Sequence, residues 1–262
     1  MIGVAGCGRM GLPMLQALVA AGARAQGFDV APIADAHVTG DIKAFASDIT
    51  TLISVVRDEA QTDDVLFGAQ NLVAAAPRLD RIIISSTLSP NYTRALRARV
   101  PDHIGLIDAP MSGAAIAAQN AALTFMVGGT TEEIDALEPI FFAMGKTLHR
   151  MGAFGAGMQA KVLNNLLAAS HTAMTRLVLD WSRKTGLDQA ALLEVIATSS
   201  GQNWFASGFD AIEFARDGYA TDNSIGILVK DVAAALDAAP AQSDPTLPQV
   251  VLDTLSTLKP LP

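Results

Sequence analysis

The chain has 262 residues, of which 50% are hydrophobic and 17% charged, and its formal net charge is −8. This length allows one large domain or two modest ones, each with a buried core. The acidic excess and the lack of a basic stripe exclude a typical nucleic-acid-binding protein, because phosphate contacts need clustered cations. Such an apolar composition predicts that helix surface is covered by a partner subunit, so we expect a homodimer or homotetramer.

The numbers and spacing of cysteine and histidine exclude several kinds of site. Cys7 is the only cysteine, which excludes a disulfide framework and a cysteine-based metal site and fits a reducing, cytoplasmic compartment. The four histidines lack metal-ligand spacing, so no metal is expected. The N-terminal residues lack the pattern of a signal peptide, and no apolar run reaches the roughly 18–20 residues of a membrane span. We therefore expect no membrane association.

A glycine-rich turn, Gly6-Cys7-Gly8-Arg9-Met10-Gly11, follows a first apolar stretch and opens an amphipathic helix that begins near Arg9. In a dinucleotide-binding unit the first glycine allows the tight turn, the second leaves room for a pyrophosphate, and the third lets the helix pack closely on the sheet. Free N–H groups and the helix dipole then meet the phosphates. These six residues are candidate cofactor contacts, although glycines also occur in ordinary turns.

Asp29 stands at the end of a second predicted strand, about 20 residues past the glycines. A carboxylate at this place can accept hydrogen bonds from the adenosine ribose hydroxyls. It would repel the 2′-phosphate of NADP, and no arginine follows it immediately. We therefore expect NAD as the cofactor and NADP as the less favoured one. The alternative for Asp29 is a solvated turn residue.

Short β-branched runs alternate with helical segments up to about residue 150, which predicts a mainly parallel sheet covered on both faces. The predicted strands are Met1 to Ala5, Ala23 to Phe28, Thr51 to Val56, Arg81 to Ser85, Gly105 to Asp108, Leu123 to Val127 and Lys146 to Arg150, and the helices include Thr62 to Ala76, Pro90 to Val100 and Glu132 to Met144.

Helical periodicity replaces the strands after the glycine-rich segment 152–157. The predicted helices are Met158 to Thr185, Gln189 to Thr198, Trp204 to Arg216 and Ile225 to Ala239, with Gly186 as a C-cap and Asp188 as an N-cap. The Pro-rich C-terminal end is expected to be loosely ordered. The whole pattern predicts an α/β fold with a doubly wound, mainly parallel Rossmann domain (residues 1–154) and an all-α domain for substrate binding and dimerisation (residues 155–262).

Two polar segments interrupt these apolar elements. Lys161 and Asn165 lie one helical turn apart and point to the same side of an apolar helix, which suggests a polar site rather than a solvated lysine. Ser112 and Gly113 follow a strand end, where ligands gather in a parallel sheet, and can offer a hydroxyl and an N–H to a substrate carboxylate. A plain turn that uses Pro110, Ser112 and Gly113 is the alternative there.

Two further positions are weaker candidates. Thr87 lies in a run of hydroxyl residues at another strand end, near the expected nicotinamide side. Lys230 precedes Asp231 within a later predicted helix, and a surface ion pair is the alternative for these two residues.

Five blocks in order resemble the β-hydroxyacid dehydrogenase family, the group that contains 3-hydroxyisobutyrate dehydrogenase and tartronate semialdehyde reductase. The blocks are GCGRMGLPM (6–14), SSTLSP (85–90), DAPMSGAAIAAQNAALTFMVGG (108–129), GAGMQAKVLNN (155–165) and LVKDVAAAL (228–236). They span nearly the whole chain. Residues 61–68 are also similar to the branch that includes L-threonate dehydrogenase.

The resemblance implies hydride transfer between NAD and a small 3-hydroxy acid, or the matching semialdehyde or keto acid. It implies that Lys161 is the catalytic acid/base and that Asn165 orients the substrate hydroxyl. Ser112 and Gly113 would hold the substrate carboxylate, and Thr87 and Lys230 would line the cofactor or active-site cleft. An amine at the reacting oxygen can take its proton, and the ammonium form stabilises developing alkoxide charge.

The chain departs from the family pattern at two expected site positions. Ala114 follows Gly113 where the family usually has a second glycine, which narrows the room beside the substrate carboxylate. Val56-Arg57-Asp58 replaces a frequent Leu-Pro in a loop on the nicotinamide side, where Val56 is expected to contact the cofactor. Two rival functions remain open: a non-catalytic dinucleotide-binding sensor or docking protein, and an imine reductase. A 6-phosphogluconate dehydrogenase shares the architecture but is much longer.

Overall fold

Residues 1–261 are described by a computed structural model. Their contacts divide the chain into two compact units, Met1–Lys161 and the residues from Val162 onward. The division falls inside the longest helix, so that helix contributes residues to both units. Within residues 1–261, no helix is long and apolar enough to cross a membrane, and no cluster of three or more His, Cys, Asp or Glu side chains suits a metal ion.

The first unit is built on a single sheet that is mainly parallel. Within residues 1–261 its strands are β1 Ile2–Ala5, β2 Ala25–Phe28, β3 Val38–Thr39, β4 Thr51–Ser54, β5 Arg81–Ile84, β6 Gly105–Asp108, β7 Met111–Ser112, β8 Leu123–Gly128 and β9 Gly145–Gly152. The spatial order is β3-β2-β1-β4-β5-β6-β8-β7, with β9 paired to β8. Strands β1 to β6 pair in parallel, whereas β8 is antiparallel to β6 and β7.

The helices of the first unit cover both faces of this sheet. They are α1 Gly11–Ala20, α2 Ile42–Ala46, α3 Glu59–Leu66, α4 Leu72–Ala75, α5 Pro90–Ala95, α6 Ala114–Gln119, α7 Thr131–Met144 and the start of α8 Ala156–Thr185. An apolar cluster lies on each face of the sheet, and consecutive strand residues pack into different clusters. Leu52 packs in one of them and Ile53 in the other. Because every residue of β4 is buried, the strand has no polar face, as expected for a parallel strand covered on both sides. The predicted doubly wound α/β fold is confirmed.

The second unit is helical throughout its described residues. Its elements are the remainder of α8, α9 Gln189–Thr198, α10 Trp204–Ser207, α11 Ser224–Asp237 and α12 Thr246–Ser256. One apolar cluster joins α8, α11 and α12, and a second one gathers around Leu179 and Phe205. Both predicted caps are confirmed: Gly186 has a φ of +75°, and the Asp188 carboxylate accepts from the N–H of Ala191 at 2.8 Å.

Two of the predicted helices are wrong in extent. The helix expected over Thr62 to Ala76 is two helices, α3 and α4, because Asn71 adopts a left-handed φ of +47° between them. The helix expected over Trp204 to Arg216 ends at Ser207, and the following residues form turns. Buried Phe209 and Ala215 in those turns produce the apolar spacing that imitates a helix in the sequence.

The C-terminal expectation is also wrong. Helix α12 forms within the segment expected to be loosely ordered, and Val251 and Leu255 on one side of it are buried. These two positions are four residues apart, which is the spacing of a helix face. The prolines before and after the helix conceal that signal when composition alone is considered.

Candidate functional site

The glycine-rich turn connects β1 to α1 at the carboxyl edge of the sheet. Gly6 has a φ of +91°, and a Cβ there would overlap the carbonyl group of Val55. A Cβ on Gly11 would overlap the carbonyl oxygen of Gly6. A Cβ on Gly8, in contrast, would have no atom of the described residues within 4 Å. Gly6 and Gly11 therefore build the turn, whereas Gly8 leaves open space above it that a phosphate can enter.

The other residues of the turn differ in exposure. Arg9 is exposed, and Met10 is half-buried against an apolar cluster. Cys7 is buried with its Sγ 3.7 Å from the carbonyl oxygen of Val4. Burial, and then the nearby charge of Asp29, raises the pKa of the Cys7 thiol to about 12. The thiol is thus protonated at neutral pH, which suits a packing role and not a nucleophile.

Asp29 links the end of β2 to this turn. One carboxylate oxygen accepts from the N–H of Cys7 at 2.7 Å and the other from the N–H of Ala31 at 2.8 Å. The same carboxylate borders a cavity of about 330 Å³ lined by residues 29–33 and 38–40. Because β1 lies between β2 and β4, the turn sits at the crevice where doubly wound sheets bind ligands. The open space at Gly8 and the anchored carboxylate fit a dinucleotide.

The loops after β4 and β5 meet beside the glycine turn. The N–H of Val56 donates to the hydroxyl of Ser86 at 2.9 Å, which ties the two loops together. Val56 and Thr87 are both half-buried. Strands β1, β4 and β5 are neighbours in the sheet, so the structure brings the glycine turn, Asp29, Val56 and Thr87 to one edge of it.

Asp108 is a residue whose role the sequence did not reveal. It ends β6, is completely buried, and accepts from the N–H of Gly155 at 2.7 Å and from the N–H of Met158. A Cβ on Gly157 would overlap the carbonyl oxygen of Met126, so that glycine allows α8 to begin against the sheet. Asp108 thus fixes the first turn of the helix that carries Lys161. Burial raises its pKa to about 6, against the opposing effect of these hydrogen bonds.

Lys161 and Asn165 both lie on buried positions of α8, with 7% and 8% of their surface exposed. A lysine is rarely buried without a specific role or partner. The two residues are four positions apart on one helix, so they share a face as expected.

Asn165 belongs to a buried polar network in the second unit. Its Nδ2 donates to Asp231 at 2.6 Å, and its Oδ1 accepts from Asn164 at 3.2 Å. Asp231 is 2% exposed, and its other oxygen lies 3.2 Å from Nζ of Lys230. The alternative of a surface ion pair is therefore wrong for Asp231. An acidic residue on the apolar face of a predicted helix is the signal that points to such a network.

The turn after β7 carries the proposed substrate residues. Ser112 pairs with Thr124 at the end of this short strand and is half-buried. Gly113 and Ala114 are exposed and have positive φ angles, +131° and +54°. Residues with side chains rarely adopt a positive φ, so the conformation of Ala114 is the unusual feature of this turn.

Comparison with known proteins assigns both parts of the chain. Residues 1–152 match the family described as the NAD binding domain of 6-phosphogluconate dehydrogenase, and residues 155–252 match the one described as NAD-binding of NADP-dependent 3-hydroxyisobutyrate dehydrogenase. L-threonate dehydrogenase of Cupriavidus necator is 31% identical over 247 residues, which cover 91% of this chain and 83% of that protein. A 3-hydroxyisobutyrate dehydrogenase of Pseudomonas aeruginosa is 32% identical over 253 residues, covering 90% and 84%.

A solved structure gives the same assignment. The 3-hydroxyisobutyrate dehydrogenase of Mycobacterium tuberculosis, solved with L-serine, superimposes with a TM-score of 0.79 at 26% identity, covering 98% of this chain and 95% of that one. Fold, glycine turn and sequence relatives agree, and the predicted resemblance is confirmed. The chain belongs to the β-hydroxyacid dehydrogenase family, whose members are NAD(P)-dependent oxidoreductases.

Proposed function

We propose that this protein is an NAD-dependent dehydrogenase that reversibly oxidises a small 3-hydroxy acid to the matching semialdehyde or keto acid. The observation that carries the proposal is the buried Lys161, placed one turn before buried Asn165 on α8. Relatives named for L-threonate and 3-hydroxyisobutyrate support the substrate class. Residues 1–154 would serve the cofactor, and residues 155–262 the substrate and subunit contacts.

The cofactor-binding residues are proposed from the geometry of the glycine turn. The backbone from Gly6 to Gly11 and the N-terminus of α1 hold the pyrophosphate, and Asp29 accepts from the ribose hydroxyls. Val56 and Thr87 line the nicotinamide side. NAD is favoured over NADP because a 2′-phosphate would meet the carboxylate of Asp29, which is followed by Val30, Ala31 and Pro32 with no cation among them.

The remaining site residues act on the substrate. The hydroxyl of Ser112 and the N–H of Gly113 bind its carboxylate, with the methyl of Ala114 beside it. Asn165, held by Asp231, orients the substrate hydroxyl, and Lys230 contributes positive charge near the cofactor. The neutral amine of Lys161 takes the hydroxyl proton during oxidation and returns it during reduction. Bound NAD supplies the hydride acceptor.

Absorbance of reduced nicotinamide, measured with L-threonate, 3-hydroxyisobutyrate and L-serine, tests the reaction class. We expect turnover of at least one acid and a fall of about a hundredfold or more in kcat for Lys161→Ala, with NAD affinity kept. Lys184→Ala is the matched control, because Lys184 lies on the same helix but is exposed in an ion pair with Asp180.

Three results would contradict the proposal. NAD binding without turnover of any hydroxy acid would favour the non-catalytic sensor or docking protein. Full activity of Lys161→Ala would remove the acid/base assignment. Turnover of a cyclic imine in place of every hydroxy acid would favour the imine reductase.

A further inference from the structure

A buried carboxylate anchors the start of helix α8. The first N–H groups of a helix have no partner within the helix, and at the start of α8 those of Gly155 and Met158 donate to Asp108. Asp108 ends β6 and precedes these two residues by 47 and 50 positions. A helix of 30 residues is thus joined to the carboxyl edge of the sheet by a long-range cap.

Two glycines leave the space that this carboxylate occupies. A Cβ on Gly128 would lie 2.3 Å from Oδ1 of Asp108, and a Cβ on Gly157 would lie 3.0 Å from Oδ2. The Cβ on Gly157 would also lie 2.2 Å from the carbonyl oxygen of Met126. A side chain at either position would therefore push the start of α8 away from the sheet. The fit between helix and carboxylate is tight, and small changes at Asp108 reach the helix.

The surroundings of Asp108 make its charge sensitive to pH near neutrality. Burial raises the pKa of Asp108 to about 6, and its hydrogen bonds to α8 and the charge of Arg94 oppose that rise. Arg94 belongs to α5 and donates to Gln159 of α8 at 3.1 Å. The neighbours of Asp108 across the sheet, Ile84 of β5 and Gly128 of β8, are uncharged. The carboxylate is therefore mostly ionised at pH 7 and mostly protonated at pH 5.

The anchored residue lies close to the proposed acid/base. Lys161 follows Met158 by three positions, which is about 4.5 Å along the helix axis. Less than one helical turn separates the two residues, so a shift at the start of α8 becomes a shift of the Lys161 amine. A displacement of about 1 Å in a reacting group can lower a rate by about a hundredfold.

We propose that Asp108 is a positioning residue for hydride transfer: its ionised carboxylate holds the start of α8 so that the amine of Lys161 meets the reacting oxygen of the substrate. The inference rests on the proposed function, because it takes Lys161 as the acid/base. Protonation turns one oxygen of Asp108 into a hydroxyl, which donates, so one of the two N–H groups loses its acceptor. The start of α8 then shifts, and catalysis slows although the protein stays folded.

Asp108→Asn in the full-length protein tests this role. The amide has the shape of the carboxylate but presents an NH₂ group in place of one oxygen, so one backbone N–H faces another donor. We expect kcat at pH 7 to fall by about tenfold to a hundredfold. NAD affinity in a fluorescence titration should be unchanged, since Asp108 bonds to α8 and not to the glycine turn. Asp188→Asn is the matched control, because it makes the same exchange at the N-cap of α9 and should leave kcat unchanged.

The pH dependence of the reverse reaction separates a charge effect from a general loss of structure. Reduction of the carbonyl product needs protonated Lys161, so acid does not remove the competent form of that lysine. The wild-type kcat for reduction should nevertheless fall about tenfold from pH 7 to pH 5, because the ionised fraction of Asp108 falls by about that factor. Asp108→Asn should show no such fall, since an amide does not titrate. Circular dichroism at both pH values verifies that each protein is folded.

Amide hydrogen exchange measures the anchor without turnover. Peptides that span residues 154–162 should exchange faster in Asp108→Asn than in wild type at pH 7, whereas peptides from α9 should not change. Asp188→Asn should give the reverse pattern. Because this measurement needs no substrate, full activity of Lys161→Ala would remove the proposed acid/base and leave the exchange result as expected.

Three outcomes would overturn the positioning role of Asp108. They are an Asp108→Asn protein with the wild-type kcat at pH 7, a ratio of the two kcat values that is the same at pH 7 and pH 5, and unchanged exchange at the start of α8. If Asp108→Asn does not fold, the wild-type profile decides, and a rate of reduction that stays constant down to pH 5 would overturn the proposal.

Discussion

Two turns of the first unit connect a strand to a helix, but they differ in whether glycine occupies the positions that favour it. Each leads from the carboxyl edge of the sheet into a helix: Gly6 to Gly11 into α1, and Ser112 to Ala114 into α6. In the first turn, glycine stands wherever the backbone demands it. In the second turn, Ala114 takes a left-handed φ of +54°, where glycine would cost less. Strain kept beside a candidate binding residue points to a function for the methyl group.

Two carboxylates of the first unit, those of Asp29 and Asp108, each accept two backbone N–H groups. Asp29 holds Cys7 and Ala31 and is half-exposed, so it can still meet a ligand. Asp108 holds Gly155 and Met158 and is completely buried, so its partners are internal. The first carboxylate is therefore accessible to a ligand, whereas the second one fixes the position of α8.

The largest effect is expected from Gly11→Ala. Alanine is the better helix former by about 1 kcal/mol, but its Cβ would overlap the carbonyl oxygen of Gly6, which is backbone and cannot rotate away. The steric overlap is a larger effect than the gain in helix propensity. We therefore expect a loss of about 3 kcal/mol in the free energy of unfolding together with weaker NAD binding. Urea unfolding and fluorescence titration with NAD measure the two losses.

Gly8→Ala is the matched control for that change. Its Cβ meets no atom of the described residues, so the unfolding free energy should stay within about 0.5 kcal/mol of wild type. NAD affinity should nevertheless fall about tenfold or more, because the methyl occupies the space proposed for the pyrophosphate. Equal destabilisation by both alanines would contradict the distinction between a glycine for the turn and a glycine for the ligand.

Much of this architecture follows from local sequence. The buried strands are short β-branched runs, the glycine spacing identifies the turn after β1, and Gly186 and Asp188 mark helix ends by their own backbone preferences. The sequence does not predict the break at Asn71, because asparagine tolerates both helical and left-handed conformations. Only the surrounding packing decides between them.

The features that escaped prediction in the site are long-range ones. Asp108 reaches Gly155 and Met158, which follow it by 47 and 50 residues, and no local pattern connects such distant partners. The sequence does not predict the conformation of Ala114, because alanine favours a helix and none of the neighbouring residues indicates a positive φ. The shared helix face of Lys161 and Asn165 is predictable, because one helical turn separates the two residues.

An intermediate effect is expected from the ionisation of Asp108. Its pKa is about 6 when folded, above the ordinary value of 3.8, so the folded protein holds this proton more tightly than the unfolded chain. Stability from this group is therefore gained as pH falls through 6 and lost as pH rises through it. Between pH 7 and pH 5 the gain is about 1 kcal/mol.

Comparison with Asp108→Asn isolates this contribution, because asparagine does not titrate and the other carboxylates are common to both proteins. The unfolding free energy of wild type minus that of Asp108→Asn should rise by about 1 kcal/mol from pH 7 to pH 5 in urea titrations. A difference that is constant, or that shrinks towards pH 5, would show that the hydrogen bonds from Gly155 and Met158 outweigh burial.

The smallest effects on stability are expected at Ala114 and Ala121. These two alanines adopt left-handed conformations that favour glycine, with φ of +54° and +47°. Ala121 has a structural reason for its conformation: the N–H of Ala122 donates to Ala117 at 2.7 Å and that of Ala121 to Ala118 at 3.2 Å, which is a Schellman end to α6. No helix-end bond of this kind forms at Ala114 within residues 1–261. The two alanines thus share their strain but not its cause.

Replacing either alanine with glycine relieves about 1 kcal/mol of backbone strain and restores a similar amount of freedom to the unfolded chain. The free energy of unfolding of each variant should therefore lie within about 0.5 kcal/mol of the wild-type value. Ala114→Gly alone should raise kcat/KM for 3-hydroxyisobutyrate relative to 3-hydroxypropionate, by about tenfold, since these acids differ by one methyl group and the variant makes room for one. If Ala121→Gly shifts that ratio equally, or neither variant shifts it, the strain at Ala114 has no part in substrate choice.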